Sequence, residues 1–221
     1  MVLPSHLQGN LTPTEINFLA ENELITILPR YSIKKINLIG VCTINKVISH
    51  KVHTNNSRQA TVPNLRAMRR EKVPLWVALI LKAQDKCNIV PPKWLNVNYL
   101  KEKYDDEIRK PTQFSDLPWN WLELSKILLT KASDDLPDSV SDLRSIIQDL
   151  REIRLIKSRK GLKELNESNI ALNGLSLMEI NEIRPFVLPV MNKLRQLHDT
   201  TLKRDAGANE ENMADISDDD E

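Results

Sequence analysis

Apolar and polar positions repeat with different periods along this chain. Ile16, Leu19 and Ala20 recur at helical spacing behind Thr12, Pro13 and Glu15. That is a T-x-x-E capping box with proline in the first helical position, and it predicts a short helix over Leu11–Glu23. The period then shortens. Glu23–Pro29 is compact and β-branched and predicts a strand closed by Pro29; Lys35–Gly40 alternates and predicts a second, and Val41–Ile48 a third. Ser49–Arg70 has no period. It carries His50, Lys51, His53, Arg58, Arg66, Arg69 and Arg70 and is expected to be a long exposed basic loop.

Val73–Trp94 is the joint of the chain. It opens on Pro74 and is apolar from Leu75 to Leu81, which predicts a helix to about Lys86. Trp76, Val77 and Ile80 widen its apolar face, as in a helix buried between layers. Cys87–Val90 is expected to be extended and stopped by Pro91-Pro92. Beyond it the pattern is helical. Helices are expected over Val97–Lys110, then from a cap at Ser115 or Asp116, with Pro118 in the first turn, to about Ser133. The longest periodic stretch runs from Ser139 to about Ser168, roughly 45 Å of helix. Its apolar face includes Leu143, Ile147 and Leu150, and its polar face includes Arg144, Arg151, Arg154, Lys157, Arg159, Lys160 and Lys163. A last helix is capped by Ser176 with Glu179 at N3. Its stripe is Leu177, Ile180, Ile183, Val187 and Met191, with a kink or break expected at Pro185 and Pro189 and fraying by Lys203. The expected class is α+β, mainly α. A small β-rich domain over 1–72, with an N-terminal helix and the basic loop 49–70, precedes a helical domain over 73–204 with long packed helices. A disordered acidic tail spans 205–221.

Charge sharpens this picture only slightly. The formal net charge is +1, and the last seventeen residues hold eight acids and no Lys or Arg, so the preceding 204 residues carry +9. A basic body with an acidic tail fits contact with a polyanion or an acidic partner, although surface charge on a long helix is ordinarily a solvated face. Arg151, Arg154, Lys157 and Lys160 are the candidates for polyanion contact. Ser217 precedes Asp218–Glu221, an acidic setting suited to an acid-directed kinase. Cys42 and Cys87 form no CxxC pair and are expected to be reduced, buried thiols. His50 and His53 have no further metal ligand nearby. No glycine-rich phosphate loop, GxSxG, HExxH or kinase set is present. The longest apolar run, Val73–Leu81, is far shorter than the ~20 residues of a membrane span. Trp76, Trp94, Trp119 and Trp121 have flanks that suit core or subunit-interface anchors better than base-stacking platforms.

Several segments, taken together and in order, resemble one family. They are Phe18–Glu23 leading into Ile25–Pro29, Ile36–Gly40, Val73–Trp76 through Lys86-Cys87 to Pro91–Trp94, Leu117–Trp121, and Leu175–Asn181. The chain is similar to the second "partner of Sld-five" subunit of the eukaryotic GINS complex, of fungal type, from about residue 1 to 203. The basic loop and the acidic tail lie outside the resemblance. The resemblance implies a small β-rich domain followed by a helical one, and no enzymatic activity, cofactor or metal. It implies a nuclear heterotetramer with three other GINS subunits. That tetramer would join the MCM hexamer and the Cdc-forty-five protein in the replicative helicase and link indirectly to the leading-strand polymerase. The interface or core candidates are Trp76, Trp94, Trp119, Trp121, Leu143, Ile147, Leu150, Leu177, Ile180, Ile183, Val187 and Met191. Among them, Leu143, Ile147 and Leu150 are expected to pack across subunits. A stand-alone nucleic-acid-binding module and a helical adaptor of another assembly are the rival readings.

Overall fold

The computed structural model describes residues 9–37, 61–62, 64–163 and 172–214. Helix α1, Pro13–Glu21, begins as the capping box requires. Thr12 Oγ1 accepts from the Glu15 N–H, and the Thr12 N–H donates to Glu15 Oε2 at 2.7 Å. Hydrogen bonds from Thr12 hold the Glu15 carboxyl below its ordinary range. Strand β1, Leu24–Pro29, follows at once and buries Ile25, Ile27 and Pro29 by alternation. Strands β2, Ile36–Asn37, and β3, Thr61–Val62, form a separate antiparallel pair. Strand β4, Glu71–Pro74, runs directly into helix α2, Leu75–Ala83, and strand β5 is Cys87–Val90.

Strand β1 is the centre of a three-stranded antiparallel sheet with order β4-β1-β5. Ile25 lies opposite Val73, and Ile27 opposite both Glu71 and Ile89. The expected course of this stretch is corrected here. Pro74 is not in the first turn of a helix but ends a strand and caps α2, which stops at Ala83, short of Lys86. Strand β4 spans residues 72 and 73, and the sheet continues to Val90. The basic stretch is not wholly loop either, because Val62 and Leu65 are buried and Ile33 bridges Leu65. Helix α2 is covered on one side only: Leu75, Val77, Ala78 and Leu81 are buried, whereas Ile80 is 51% exposed. Cys87 is buried and its thiol is pushed up to about 11, chiefly by burial. Strand Val41–Ile48, the histidines of the loop, Cys42 and Ser217 lie outside the described residues.

The helical part comprises α3, Val97–Arg109, α4, Trp121–Lys131, α5, Val140–Leu162, and α6, Leu177–Ala214. Helices α3 and α5 pack side by side, and α1 packs on α4. One continuous core joins sheet and helices, from Ile27 and Leu75 to Trp121, Leu128, Leu143 and Leu150. Polar contacts stitch the same seam. Lys82 Nζ reaches Asp134 at 2.6 Å and Asp135 at 2.9 Å, and Asp135 Oδ2 also accepts from the Ile89 N–H at 2.7 Å. The expected cap at Ser115 or Asp116 is not used. Helix α4 starts at Trp121, after Asn120, so Pro118 and Trp119 precede it. Helix α6 runs through Pro185 and Pro189 without a break and continues to Ala214, past the fraying expected at Lys203 and into the stretch expected to be disordered. Each proline removes one N–H rung without ending the helix.

Trp121 is fully buried, whereas Trp119 is 39% exposed. Trp121→Ala should therefore cost about 3–5 kcal/mol, read as a fall in the urea midpoint. Trp119→Ala should cost much less, and equal losses at the two positions would contradict the burial pattern.

Candidate subunit interface

The surface that helix α6 presents is set by a buried ionic cluster beneath its first turn. Arg154, on α5, is fully buried. Its Nη1 donates to Glu107 Oε1 at 2.6 Å, and its Nε and Nη2 donate to the Glu179 carboxylate at 2.7 and 2.9 Å. The two remaining N–H groups go to the carbonyls of Gly174, at 2.5 Å, and Ser115, at 3.3 Å. All five guanidinium donors are thus used. Lys157 donates to Glu107 Oε2 and to the carbonyls of Lys110 and Gln113. Both cations lie over the Phe114 ring. Burial alone would raise the Glu107 carboxyl. Hydrogen bonds from Lys157 and Ser115, with the Arg154 charge, outweigh it and hold Glu107 below its ordinary value of 4.5.

The local backbone is shaped to this cluster. The Ser176 N–H donates to Glu179 Oε2 at 2.7 Å, and Ser176 Oγ accepts from the Glu179 N–H at 3.4 Å, the expected capping box. Gly174 has φ +82°, and a Cβ there would meet Phe114 Cβ at 2.9 Å, so this turn needs glycine. One turn into α6, Asn181 clasps Leu11 in both directions: the Leu11 N–H donates to Asn181 Oδ1 at 2.8 Å, and Asn181 Nδ2 donates to the Leu11 carbonyl at 3.0 Å. The Leu177 N–H donates to the Trp119 carbonyl at 2.7 Å. Trp119 Nε1 in turn donates to Glu23 Oε1 at 2.9 Å. The start of α6 is therefore fixed to both units of the chain.

The sequence candidates separate into two groups. Trp121, Leu143, Ile147 and Leu150 are buried within this chain. Of the three α5 residues expected to pack across subunits, Leu143 and Leu150 are fully covered by this chain alone, whereas Ile147 borders a groove between α1, α4 and α5. Trp76 and Trp94 are half-buried against the same core. The second group lies on α6: Leu177, Ile180, Ile183 and Val187 are half-buried and Met191 is buried. Beside them Phe186, Leu197 and Leu202 are 52, 62 and 55% exposed. The basic face of α5 is also corrected. Arg154 and Lys157 face inward onto carboxylates, and Arg151 pairs with Glu182 at 2.7 Å, which leaves Lys160 exposed. Glu107 escaped sequence reasoning, and Ser115 was read only as a candidate helix cap. Arg154 was findable, because it falls four residues after Leu150 and seven after Ile147, on the apolar phase of α5.

Among the described residues, no helix is long and apolar enough to cross a membrane, and no group of three or more His, Cys, Asp or Glu side chains is placed to hold a metal ion. The fold and this surface define a helical-bundle protein with a small β-rich N-terminal unit and a long C-terminal helix left partly uncovered. A family model described as the GINS complex protein helical bundle domain matches residues 94–198, and one described as the PSF2 N-terminal domain matches 12–52 and 49–90. Both matches meet near Val90, where the sheet ends. The chain is 71% identical to "DNA replication complex GINS protein PSF2" of Candida albicans over the whole of both chains. It is 66% identical to the protein of that name from Debaryomyces hansenii, over 94% of this chain and 92% of the relative. The Saccharomyces cerevisiae protein of that name is 48% identical over 91% of this chain and 94% of its own length. The chain belongs to the PSF2 family of GINS complex proteins.

Arg154→Met leaves Glu107 and Glu179 buried without their main partner and should cost about 3–5 kcal/mol. Glu107 also sets a pH dependence. Because its folded value is depressed, its stabilising contribution is full above the unfolded value of 4.5 and is lost as pH falls through the lower folded value. Unfolding midpoints measured between pH 7 and 3 should fall less steeply for Glu107→Gln than for the parent; identical slopes would contradict the assignment.

Proposed function

We propose that this chain is a non-catalytic structural subunit of a nuclear heterotetramer with three other GINS subunits, acting in initiation and elongation of chromosomal DNA replication. In this reading the tetramer works with the MCM ring and the Cdc-forty-five protein in the replicative helicase and reaches the leading-strand polymerase indirectly. No cofactor is involved. Membership of a family whose relatives are named as DNA replication complex proteins supports the setting. The observation that carries the mechanism is helix α6. At 38 residues it is about 57 Å long, its first turn is pinned by buried charge, and Phe186, Leu197 and Leu202 remain exposed. Obligate interfaces are apolar at their centres, so the stripe of Leu177, Ile180, Ile183 and Val187 with these flanking residues is the surface to be covered by sister helices.

The rival reading, a stand-alone nucleic-acid module on the α5 basic face, loses its centre because Arg154 and Lys157 are neutralised by buried carboxylates. Arg159, Lys160 and Lys163 at the end of α5 are exposed and leave room only for a small electrostatic contribution.

Co-expression with the three other GINS subunits, followed by size-exclusion chromatography with light scattering, tests the proposal. The parent chain should enter a stoichiometric four-chain particle. Phe186→Asp combined with Val187→Asp should leave the chain folded by circular dichroism but out of the particle. A lone monomer that ignores those partners, or an unaffected double variant, would overturn the reading.

A further inference from the structure

A groove of about 500 Å³ opens between α1, α4 and α5, within the roughly 300–1,000 Å³ range of sites that bury most of a ligand. Its floor is apolar, with Ile16, Leu122, Leu129, Ile147 and Leu155, and Met178 closes it from the first turn of α6. One lining residue does not fit such a floor. Glu123 is only 5% exposed, and neither of its carboxylate oxygens accepts a hydrogen bond among the described residues. Burial, with the charges of Glu179 and Glu182, pushes its carboxyl upward against the opposing pull of its own backbone N–H and of Lys126. A buried carboxylate without a donor is costly, and a donor supplied from outside would relieve that cost.

We propose that this groove receives a segment of a sister GINS subunit bearing a Trp or Tyr anchor, whose N–H or O–H donates to Glu123, with acidic residues on either side. Three features of the groove select this occupant. The apolar floor suits an aromatic body, and the unpartnered carboxylate suits the polar tip of Trp or Tyr. The rim carries Lys126 and Arg144 against Glu152, and Arg151 there is already paired with Glu182. That rim disfavours a Lys or Arg anchor and favours acidic flanks. The source is a sister subunit because the groove is continuous with the proposed assembly surface: Met178 lies between Leu177 and Ile180 of the α6 stripe, and Arg151 on the rim is bonded to Glu182 of α6. This inference rests on the subunit reading above.

The test uses the co-expressed four-chain particle with a photo-crosslinking residue in place of Asn17, an exposed position that lines the groove. Mass spectrometry of the crosslinked peptide should identify a sister-subunit segment with Trp or Tyr next to Asp or Glu. Arg144→Glu on the exposed rim should cut the crosslink yield by about tenfold while the particle persists, and Glu123→Leu should do the same. A particle that forms but crosslinks at Asn17 only within this chain, to a second copy of it, or to a segment without an aromatic residue would overturn the groove assignment and leave the subunit reading standing. Failure of the particle to form with the parent chain would overturn the subunit reading and this inference with it.

Discussion

Taking a guanidinium out of water costs several kcal/mol, and the attraction of its partners offsets that only when every donor is met. Arg154 meets that condition. Two carboxylates and two backbone carbonyls take its five N–H groups, and Lys157 balances the second carboxylate, so the buried cluster holds two cations and two anions. The partners come from α3, the linker after it, the turn at Gly174 and the first turn of α6. Non-polar packing alone would let these segments slide past one another. A fork of fixed directions does not, and so the cluster fixes where α6 leaves the body of the protein.

The rest of the architecture prepares this exit. The sheet centred on β1 and the helices α3 to α5 share one core, and Lys82 with Asp134 and Asp135 closes the polar seam between them. Asn181 then holds the segment before α1 onto α6, across 170 positions of sequence. Buried apolar side chains are spent on the chain itself, whereas those of α6 are largely not.

Local signals were legible where the physics is local. The Thr12–Glu15 and Ser176–Glu179 boxes, strand β1 and helix α3 follow from residues a few positions apart. The error at Pro74 has a non-local cause: proline suits a helix start equally well, and only pairing of Glu71–Pro74 with Leu24–Ile27 makes that stretch a strand. Trp119 and Trp121 look alike in sequence, but the helix begins at Trp121, beyond Pro118, rather than from a cap at Ser115 or Asp116, which turns one ring into the core and leaves the other at the seam. The charged run on α5 hid the central residue. Net charge suggested a solvated face, while the phase of Leu143, Ile147 and Leu150 placed Arg154 inside. Its acceptors, Glu107 and Glu179, lie 47 and 25 positions away, and no spacing rule connects them.

Hydrogen exchange along α6 tests the central claim most directly. In the parent chain the amides of residues 179–184 should be protected, and in Arg154→Met they should exchange far faster while those of β1 keep their protection. Unchanged protection at the start of α6 in that variant would show that the helix is held by other contacts and would contradict the account.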